Sequence, residues 1–251
     1  MRILVVSDLH YTLRQFDWVV ASAPAFDLVV IAGDHLDISS TVSLETQVAV
    51  VLRYFQLING SGMLAVSSGN HDLTGADAQG ERAALWMAEA RAEGIPSDGQ
   101  SLLLDDGDTL ITICPWWDGP GGRDAVAAQL AHDAARRPGR WLWVYHWPPL
   151  GSPTCWTGRR HYGDADLGGW IDEHRPDVVL TGHVHDPPFK ADGSWADRIG
   201  DTWVFNAGRQ IGPTPTFIDL DLDEQQATWS SLLGEETVDL ADATAPARTV
   251  L

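Results

Sequence analysis

The sequence predicts a four-layer α/β/β/α sandwich, in which two mixed sheets pack face to face and helices cover both outer surfaces. Five short apolar runs, rich in β-branched residues and bounded by glycine, proline or polar residues, are typical of strands buried on both faces. Helical segments alternate with these runs, whereas other segments alternate apolar and polar residues as antiparallel hairpins do. Parallel strands and hairpins in one chain together favour two sheets.

The predicted elements follow in chain order. Buried strands are predicted over 2–7, 27–33, 63–69, 141–146 and 177–182. Helices are predicted over 13–22, 43–58, 77–93, 123–136 and 164–174. The last helix would have Asp164 as its N-cap and end before Pro176. Hairpins are predicted over 101–116 with a turn at Asp106-Gly107, over 194–208 with a turn at Gly200-Asp201, and over 214–232. We expect a single domain over 1–234 and an acidic, weakly structured extension over 235–251.

Composition limits the possible partners of the chain. Its 251 residues are 44% hydrophobic and carry a formal net charge of −19. Such a charge disfavours long nucleic acids and anionic membranes, which select basic surfaces, but it permits a small phosphoester. Two cysteines are too few for a disulfide framework. Neither a signal peptide nor a segment of membrane-spanning length is recognisable, so we expect a cytoplasmic protein.

Polar side chains follow each of the five predicted buried strands. They are Asp8 and His10, Asp34, Asn70 and His71, His146, and His183 and His185. Because ligands bind at the carboxyl ends of strands in α/β sheets, we expect these side chains to meet at one edge. Each alone could be a turn, cap or core residue, but five strand ends with this pattern predict a metal site.

The residue types indicate which metals the site would hold. Imidazole nitrogen combined with carboxylate and amide oxygen suits Mn²⁺, Fe²⁺ and Zn²⁺. Neither Cys114 nor Cys155 lies in a matching motif, which disfavours a closed structural zinc site. The ligands outnumber the needs of one ion and suit two ions that share a carboxylate, as in two-metal phosphoryl transfer.

The ordered motifs SDLH, GDHLD, GNHD, YHWPP and GHVH resemble those of the calcineurin-like metallophosphoesterases. This resemblance implies the four-layer sandwich and a site for two divalent ions, which we expect to be Mn²⁺, with Fe²⁺/Fe³⁺ or Zn²⁺ as alternatives. By the resemblance, one ion would be held by Asp8, His10, Asp34 and His185. The second would be held by Asp34, Asn70, His146 and His183, with Asp34 bridging the two.

The resemblance also implies that His71 is a catalytic group beside the phosphate. We hypothesise that a metal-bridging hydroxide attacks phosphorus while cationic His71 binds a phosphate oxygen or protonates the leaving group. Asp72 would orient His71 and raise its pKa. The alternative for Asp72 is a cap on the next segment.

Four further side chains are candidates for contact with the substrate: His35, Arg159, Arg160 and Arg209. His35 follows the bridging Asp34 and could contact the substrate or a carboxylate behind the metal ligands, and the alternative is a partly exposed loop histidine. Arg159 and Arg160 lie in the long Trp-rich loop after His146, where they could bind phosphate while the tryptophans stack on a base or pack together. Arg209 follows a predicted strand, and Gly208 before it would allow close backbone approach.

These observations predict an enzyme that hydrolyses a small phosphomonoester or phosphodiester with two metal ions and His71. The alternative on the same fold is a weakly active or inactive metal-binding scaffold or interaction module. The complete set of ligand positions and the presence of His71 favour the enzyme.

Overall fold

The computed structural model of the chain describes residues 1–104 and 107–242. Its strands are β1 (Arg2–Val6), β2 (Leu28–Ala32), β3 (Met63–Ser67), β4 (Gly75–Ala76), β5 (Arg82–Ala83), β6 (Ser101–Leu103), β7 (Thr109–Ile113), β8 (Arg140–Val144), β9 (Val178–Thr181), β10 (Ala196–Ile199), β11 (Thr202–Asn206), β12 (Phe217–Asp221), β13 (Gln226–Ser231) and β14 (Gly234–Asp239). Its α-helices are α1 (Leu13–Ser22), α2 (Leu44–Asn59), α3 (Met87–Ala92), α4 (Pro120–Ala134) and α5 (Leu167–His174).

Two six-stranded sheets form the centre of the molecule. One has the strand order β14-β13-β12-β1-β2-β3, with β1, β2 and β3 parallel. The other has the order β10-β11-β9-β8-β7-β6, with β7, β8, β9 and β11 parallel. Antiparallel strands complete both sheets, so each is mixed, as the sequence predicts.

The continuous apolar strands are explained by burial on both faces. In β1, Ile3 and Val5 belong to the core between the two sheets, whereas Leu4 and Val6 belong to the core under α1 and α2. A third core lies under α4 and α5 and includes Trp141 and Trp143 of β8. Three cores separate four layers, and this confirms the predicted sandwich.

The predicted hairpins over 194–208 and 214–232 are the antiparallel pairs β10–β11 and β12–β13. The pair β6–β7 matches the hairpin over 101–116, but residues 105 and 106 of its predicted turn lie outside the described residues. None of the helices in the described part of the chain is long and apolar enough to cross a membrane.

The predicted helix over 77–93 is wrong for its first half. A small hairpin of β4 and β5 replaces it, and only α3 is helical. The carboxylate of Asp77 accepts hydrogen bonds from the amides of Gln79 and Glu81, which competes with a helical turn. Glu81 accepts the amide hydrogens of Gly121 and Gly122 in the first turn of α4, so it stabilises that helix instead.

Two other expectations are corrected near the ends of elements. Helix α5 begins at Leu167, and Asp164 instead binds the Tyr145 hydroxyl and the amide of Asp166. Strand β14 pairs with β13 over residues 234–239, so these residues belong to the sheet rather than to a weakly structured extension. Pairing with β13 satisfies the backbone groups on the inner side of this edge strand, which compensates for its few buried side chains. Residues 243–251 of that predicted extension lie outside the described residues.

Candidate metal centre

The carboxyl ends of β1, β2 and β3 meet those of β8 and β9 of the other sheet at one edge of the sandwich. The amide of His183, after β9, donates to both carboxylate oxygens of Asp8, after β1, at 3.0 and 3.1 Å. The amide of His71, after β3, donates to Asp34 Oδ1 at 2.8 Å. The amide of Asp8 also donates to the carbonyl of Gly33, and that of Gly182 to the carbonyl of His146. Hydrogen bonds therefore tie the five ligand-bearing turns into one site, as the sequence predicts.

Two of the three groups of potential metal ligands found among the described residues lie side by side in this site. One comprises Asp8, His10 and His185, and the other comprises Asp34, His146 and His183, with the ligand atoms of each group within 4.8 Å of one another. In the first group His185 Nε2 lies 3.3 Å from Asp8 Oδ1. His10 Nε2 and His185 Nε2 are 3.1 Å apart, a separation that suits nitrogens directed at one cation.

Asp34 lies between the two groups. Its Oδ2 is 3.4 Å from His146 Nε2 in the second group and 3.6 Å from His10 Nε2 in the first. Its side chain is almost wholly buried. One carboxylate within reach of both groups is what a shared ligand requires.

Hydrogen bonds set the tautomers of two of the histidines. The Nδ1–H of His146 donates to the carbonyl of Ala32 at 2.5 Å, and the Nδ1–H of His183 donates to Asn70 Oδ1 at 2.8 Å. This leaves a lone pair on each Nε2, and both Nε2 atoms are buried without a hydrogen-bond partner. Buried acceptors of this kind are costly unless a cation binds them, so the donor set fits divalent metal ions.

The backbone is strained at several of the candidate ligands. Asp8, His10, Asp34 and His183 have φ values of 56°, 41°, 55° and 65°. This left-handed region is uncommon outside glycine, although Asp and His enter it more readily than most residues. Strain that the surrounding structure maintains is typical of functional sites, and here it turns each side chain inward directly after its strand.

Two motif glycines make room for the ligands. A Cβ at Gly69 would overlap Asp34 Oδ1 and lie 2.6 Å from His146 Nε2. A Cβ at Gly182 would lie 2.6 Å from Asp8 Oδ2. Both glycines are therefore needed for close approach of backbone and ligand rather than for turn formation alone.

Burial and charge act in opposite directions on the pKa values of the site. Burial alone would raise the pKa of Asp34, but the charge of His146 lowers it to about 2. Burial would likewise raise the pKa of Asp8, yet the hydrogen bond to His185 and the charge of His146 hold it well below its usual range. Burial opposes protonation of His146, but Asp34 and Asp8 raise its pKa to about 9. When protonated, His146 balances two buried carboxylates, and a cation that binds its Nε2 does so in place of that proton.

The other two perturbed histidines are ready to donate lone pairs. Burial lowers the pKa of His10 to about 4 and that of His183 to about 3. Both rings are therefore neutral near pH 7, which is the form that binds a metal.

His71 lies at the same centre, and the predicted partner for it is wrong. A ring nitrogen of His71 is within 4.8 Å of ligand atoms of His10 and Asp34, and its ring contacts that of His10 edge to face, with centroids 4.4 Å apart. Its Nδ1 is buried without a hydrogen-bond partner. The carboxylate of Asp72 does not orient it, because Asp72 is fully buried and binds four backbone amides and His35 instead.

The predicted substrate residues fall into different environments. His35 is completely buried, so it is neither a substrate ligand nor an exposed loop residue. Arg159 and Arg160 are exposed, and the Arg160 guanidinium lies 5.4 Å from the centroid of the Tyr162 ring. Arg209 is half-buried, its amide donates to the carbonyl of His185 at 3.1 Å, and its Nε is buried without a partner. Of the three arginines, only Arg209 is hydrogen-bonded directly to a ligand-bearing turn.

An aromatic wall of Trp116, Trp147 and Tyr162 surrounds His183. The ring centroids of these three residues lie 5.1, 5.4 and 5.2 Å from that of His183. Trp116 and Trp147 stack on each other at 5.0 Å, so part of their surface is used within the wall. The amide of Trp116 donates to Ser68 Oγ at 2.9 Å, which fixes the wall to the end of β3. No spacing in the sequence signals this role of Ser68.

Comparison with known proteins identifies the family of the chain from its sequence. The family model described as calcineurin-like phosphoesterase matches residues 1–187. None of the curated proteins matches the sequence significantly.

Solved structures with the same fold are distant in sequence. The protein TT1561 of Thermus thermophilus is 15% identical with a TM-score of 0.60, over 95% of this chain and 98% of that one. A dimetal phosphatase from Danio rerio is 11% identical with a TM-score of 0.56, over 96% and 99% of the two chains. The purple acid phosphatase PPD1 of yellow lupin is 13% identical with a TM-score of 0.56, over 100% of this chain and 57% of that one. At these identities the likeness concerns the fold.

Proposed function

Because the chain belongs to the calcineurin-like phosphoesterase family and is a metal-dependent phosphoesterase, we propose that it hydrolyses a small phosphomonoester or phosphodiester at the edge where its two sheets meet. The observation that carries this proposal is the pair of ligand groups that adjoin at Asp34. In the second group the unpaired buried nitrogens of His146 and His183 support cation binding, and in the first group the close approach of His10 Nε2 to His185 Nε2 supports it.

Two divalent ions would occupy these groups. Asp8, His10, Asp34 and His185 would hold one, and Asp34, Asn70, His146 and His183 would hold the other. Asn70 Oδ1 has two lone pairs, so it can orient His183 and still bind a metal. We propose Mn²⁺, since nitrogen and oxygen donors without thiolate suit it. When bound, such ions activate water and offset the charge on phosphoryl oxygens.

His71 would supply the proton that the leaving group needs. It is partly exposed at the centre, and its backbone amide is fixed by Asp34, so its ring is held at the edge of the site. A protonated imidazole there can donate to the leaving oxygen or bind a phosphoryl oxygen. The unpaired Nδ1 agrees with a side chain that finds its partner in the substrate.

Arg209 would bind a phosphoryl oxygen as well. Its backbone is fixed to His185, and a guanidinium forms strong charge-assisted hydrogen bonds with phosphate. Arg159 and Arg160 would make outer contacts. The net charge of −19 supports a small substrate over a long nucleic acid. Two buried free cysteines support a reducing compartment such as the cytoplasm.

The test is hydrolysis after metal reconstitution. The chelator-stripped protein is loaded with Mn²⁺, Fe²⁺ or Zn²⁺ and assayed with p-nitrophenyl phosphate, bis-p-nitrophenyl phosphate and cyclic nucleotides. We expect Mn²⁺ to restore turnover and His183→Ala to abolish it. The control His132→Ala, on the exposed face of α4, should behave as the wild type.

Two results would contradict the proposal. Absence of turnover on every substrate with two metals bound per chain would favour the scaffold alternative. Turnover that survives complete removal of metal would show that the metal centre is not the active site.

A further inference from the structure

His35 lies behind the metal centre, and we infer that it is a positioning residue that acts through Asp72 on Asp34 and on the turn that carries Asn70 and His71. The inference rests on the proposed function only where the test measures kcat and KM. It concerns a side chain that is wholly buried and cannot touch the substrate.

The carboxylate of Asp72 connects the ends of two strands. Its Oδ2 accepts hydrogen bonds from the amides of Asp34 at 2.9 Å and Gly69 at 2.8 Å. Its Oδ1 accepts the amides of His35 at 3.0 Å and Leu36 at 3.1 Å. One buried anion thus holds the turn after β2, which bears the shared carboxylate, against the turn after β3.

His35 provides the only side-chain hydrogen bond among the described contacts of this carboxylate. Its Nδ1 lies 3.0 Å from Asp72 Oδ2 and donates to it. The ring contacts Phe55 and Trp86 edge to face, with centroids 5.0 and 5.7 Å away. Trp86 in turn donates its Nε1–H to the backbone carbonyl of Asp72 at 3.0 Å. The hydrophobic core therefore fixes the ring, and the ring fixes the carboxylate.

The second ring nitrogen shows that His35 is not optimal for stability. Its Nε2 is buried without a hydrogen-bond partner, which lowers the stability of the fold. An apolar ring of similar shape would avoid this cost and keep the contacts with Phe55 and Trp86. What such a ring would lose is the Nδ1–H bond to Asp72.

This bond matters because Asp34 is held in an unfavourable conformation. Asp34 has a φ of 55°, and its side chain lies between the two ligand groups while accepting the amide of His71. If Asp72 can rotate, the amide of Asp34 loses a partner and the strained turn can relax. Both ligand groups and the placement of His71 would then change together.

The test compares two substitutions that separate packing from hydrogen bonding. His35→Phe keeps an aromatic ring but removes the donor, whereas His35→Asn keeps a donor near the position of Nδ1 but removes ring packing. We expect His35→Phe to unfold at a temperature equal to or above that of the wild type. It should nevertheless bind Mn²⁺ about 10- to 100-fold more weakly by calorimetry, with kcat lowered and KM little changed.

We expect the reverse combination for His35→Asn. It should unfold at a lower temperature than the wild type but bind Mn²⁺ with an affinity within a few-fold of the wild-type value. In the metal-free protein, hydrogen exchange at the amides of Asp34, Leu36 and Gly69 should accelerate in His35→Phe and not in His35→Asn. The amide of Val144 in β8 is the internal reference. Should His35→Phe fail to fold, His35→Leu removes the same donor with a smaller side chain.

Two outcomes would overturn the inference. One is wild-type Mn²⁺ affinity and amide exchange in the apolar variants. The other is Mn²⁺ affinity that follows thermal stability across all variants, as a merely structural role requires. Metal binding and amide exchange need no turnover, so a wild-type protein that hydrolyses nothing would refute the proposed function and leave this test decisive.

Discussion

The metal centre and the loop over residues 147–163 both begin at strand ends of the same sheet edge, yet they are built differently. Every candidate ligand lies within a few residues of a strand end, and hydrogen bonds such as His183 to Asp8 and His71 to Asp34 fasten the turns to each other. Trp147 and Tyr162 at the two ends of the loop contact His183, but the part that carries Arg159 and Arg160 is fastened within itself and to the segment after β9. There Trp156 Nε1 donates to the carbonyl of Ala191, and Thr157 pairs with Arg160.

The difference shows that a strand determines the positions of side chains only over the few residues that follow it. A residue that directly follows a buried strand takes its place from the sheet, so its spacing in the sequence is informative. A residue ten positions further on takes its place from whatever the loop packs against. Substitutions should therefore have much larger effects at the centre than in the loop.

The largest effect is expected for His71→Ala. Loss of a general acid costs roughly 10²- to 10⁴-fold in kcat. Metal content should stay unchanged, because His71 is not among the proposed ligands. The loop counterpart, His161→Ala, should change kcat by about twofold or less, as surface substitutions usually do. Full activity of His71→Ala with both metals bound would refute its proposed role, and loss of a metal would show that His71 is itself a ligand.

A smaller effect is expected for Gly69→Ala. Gly69 has extended backbone angles of −117° and −176° that alanine can adopt, so the damage comes from the Cβ that meets Asp34 and His146. Mn²⁺ affinity should fall about 10- to 100-fold in calorimetric titrations. Gly168→Ala is the matched control, since nothing lies within 4 Å of its Cβ in α5. It should add about 0.5–1 kcal/mol of stability without changing metal binding. Equal metal affinity in both variants would show that the close approach at Gly69 is not needed for metal binding.

A smaller effect, on KM, is expected for Arg209→Ala. Loss of a charge-assisted hydrogen bond to phosphate, worth about 1.5–3 kcal/mol, should raise KM roughly tenfold or more and leave metal content unchanged. Steady-state kinetics on the substrate found in the reconstitution screen measures it. An unchanged KM would remove Arg209 from the substrate site.

The smallest effects are expected for Arg159→Ala and Arg160→Ala. Both side chains are exposed in the loop, where ion pairing is worth about 1 kcal/mol or less, so KM should rise by about fivefold at most. A rise in KM as large as that of Arg209→Ala would show that the loop closes over the substrate. The loop and the metal centre would then contribute equally to substrate binding.

The sequence predicted the structure correctly where a local pattern of residues is compatible with only one arrangement of the chain. The apolar strands with Asp, Asn and His at their ends predicted both the sheets and the grouping of the ligands. The predicted helix over 77–93 failed because Asp77 and Glu81 use their carboxylates for a turn and for the distant α4. No periodicity can reveal a partner forty residues away.

The four-layer fold, the family and the residue types that meet at the metal centre could all be inferred from local sequence pattern, because strand burial and strand-end spacing are local properties. The partners of individual side chains could not: Asp72 binds backbone amides and His35 rather than His71, His35 is buried, and Arg209 rather than Arg159 is fastened to the site. These assignments depend on which side chains from different elements reach the same hydrogen-bonding groups, and packing settles that choice.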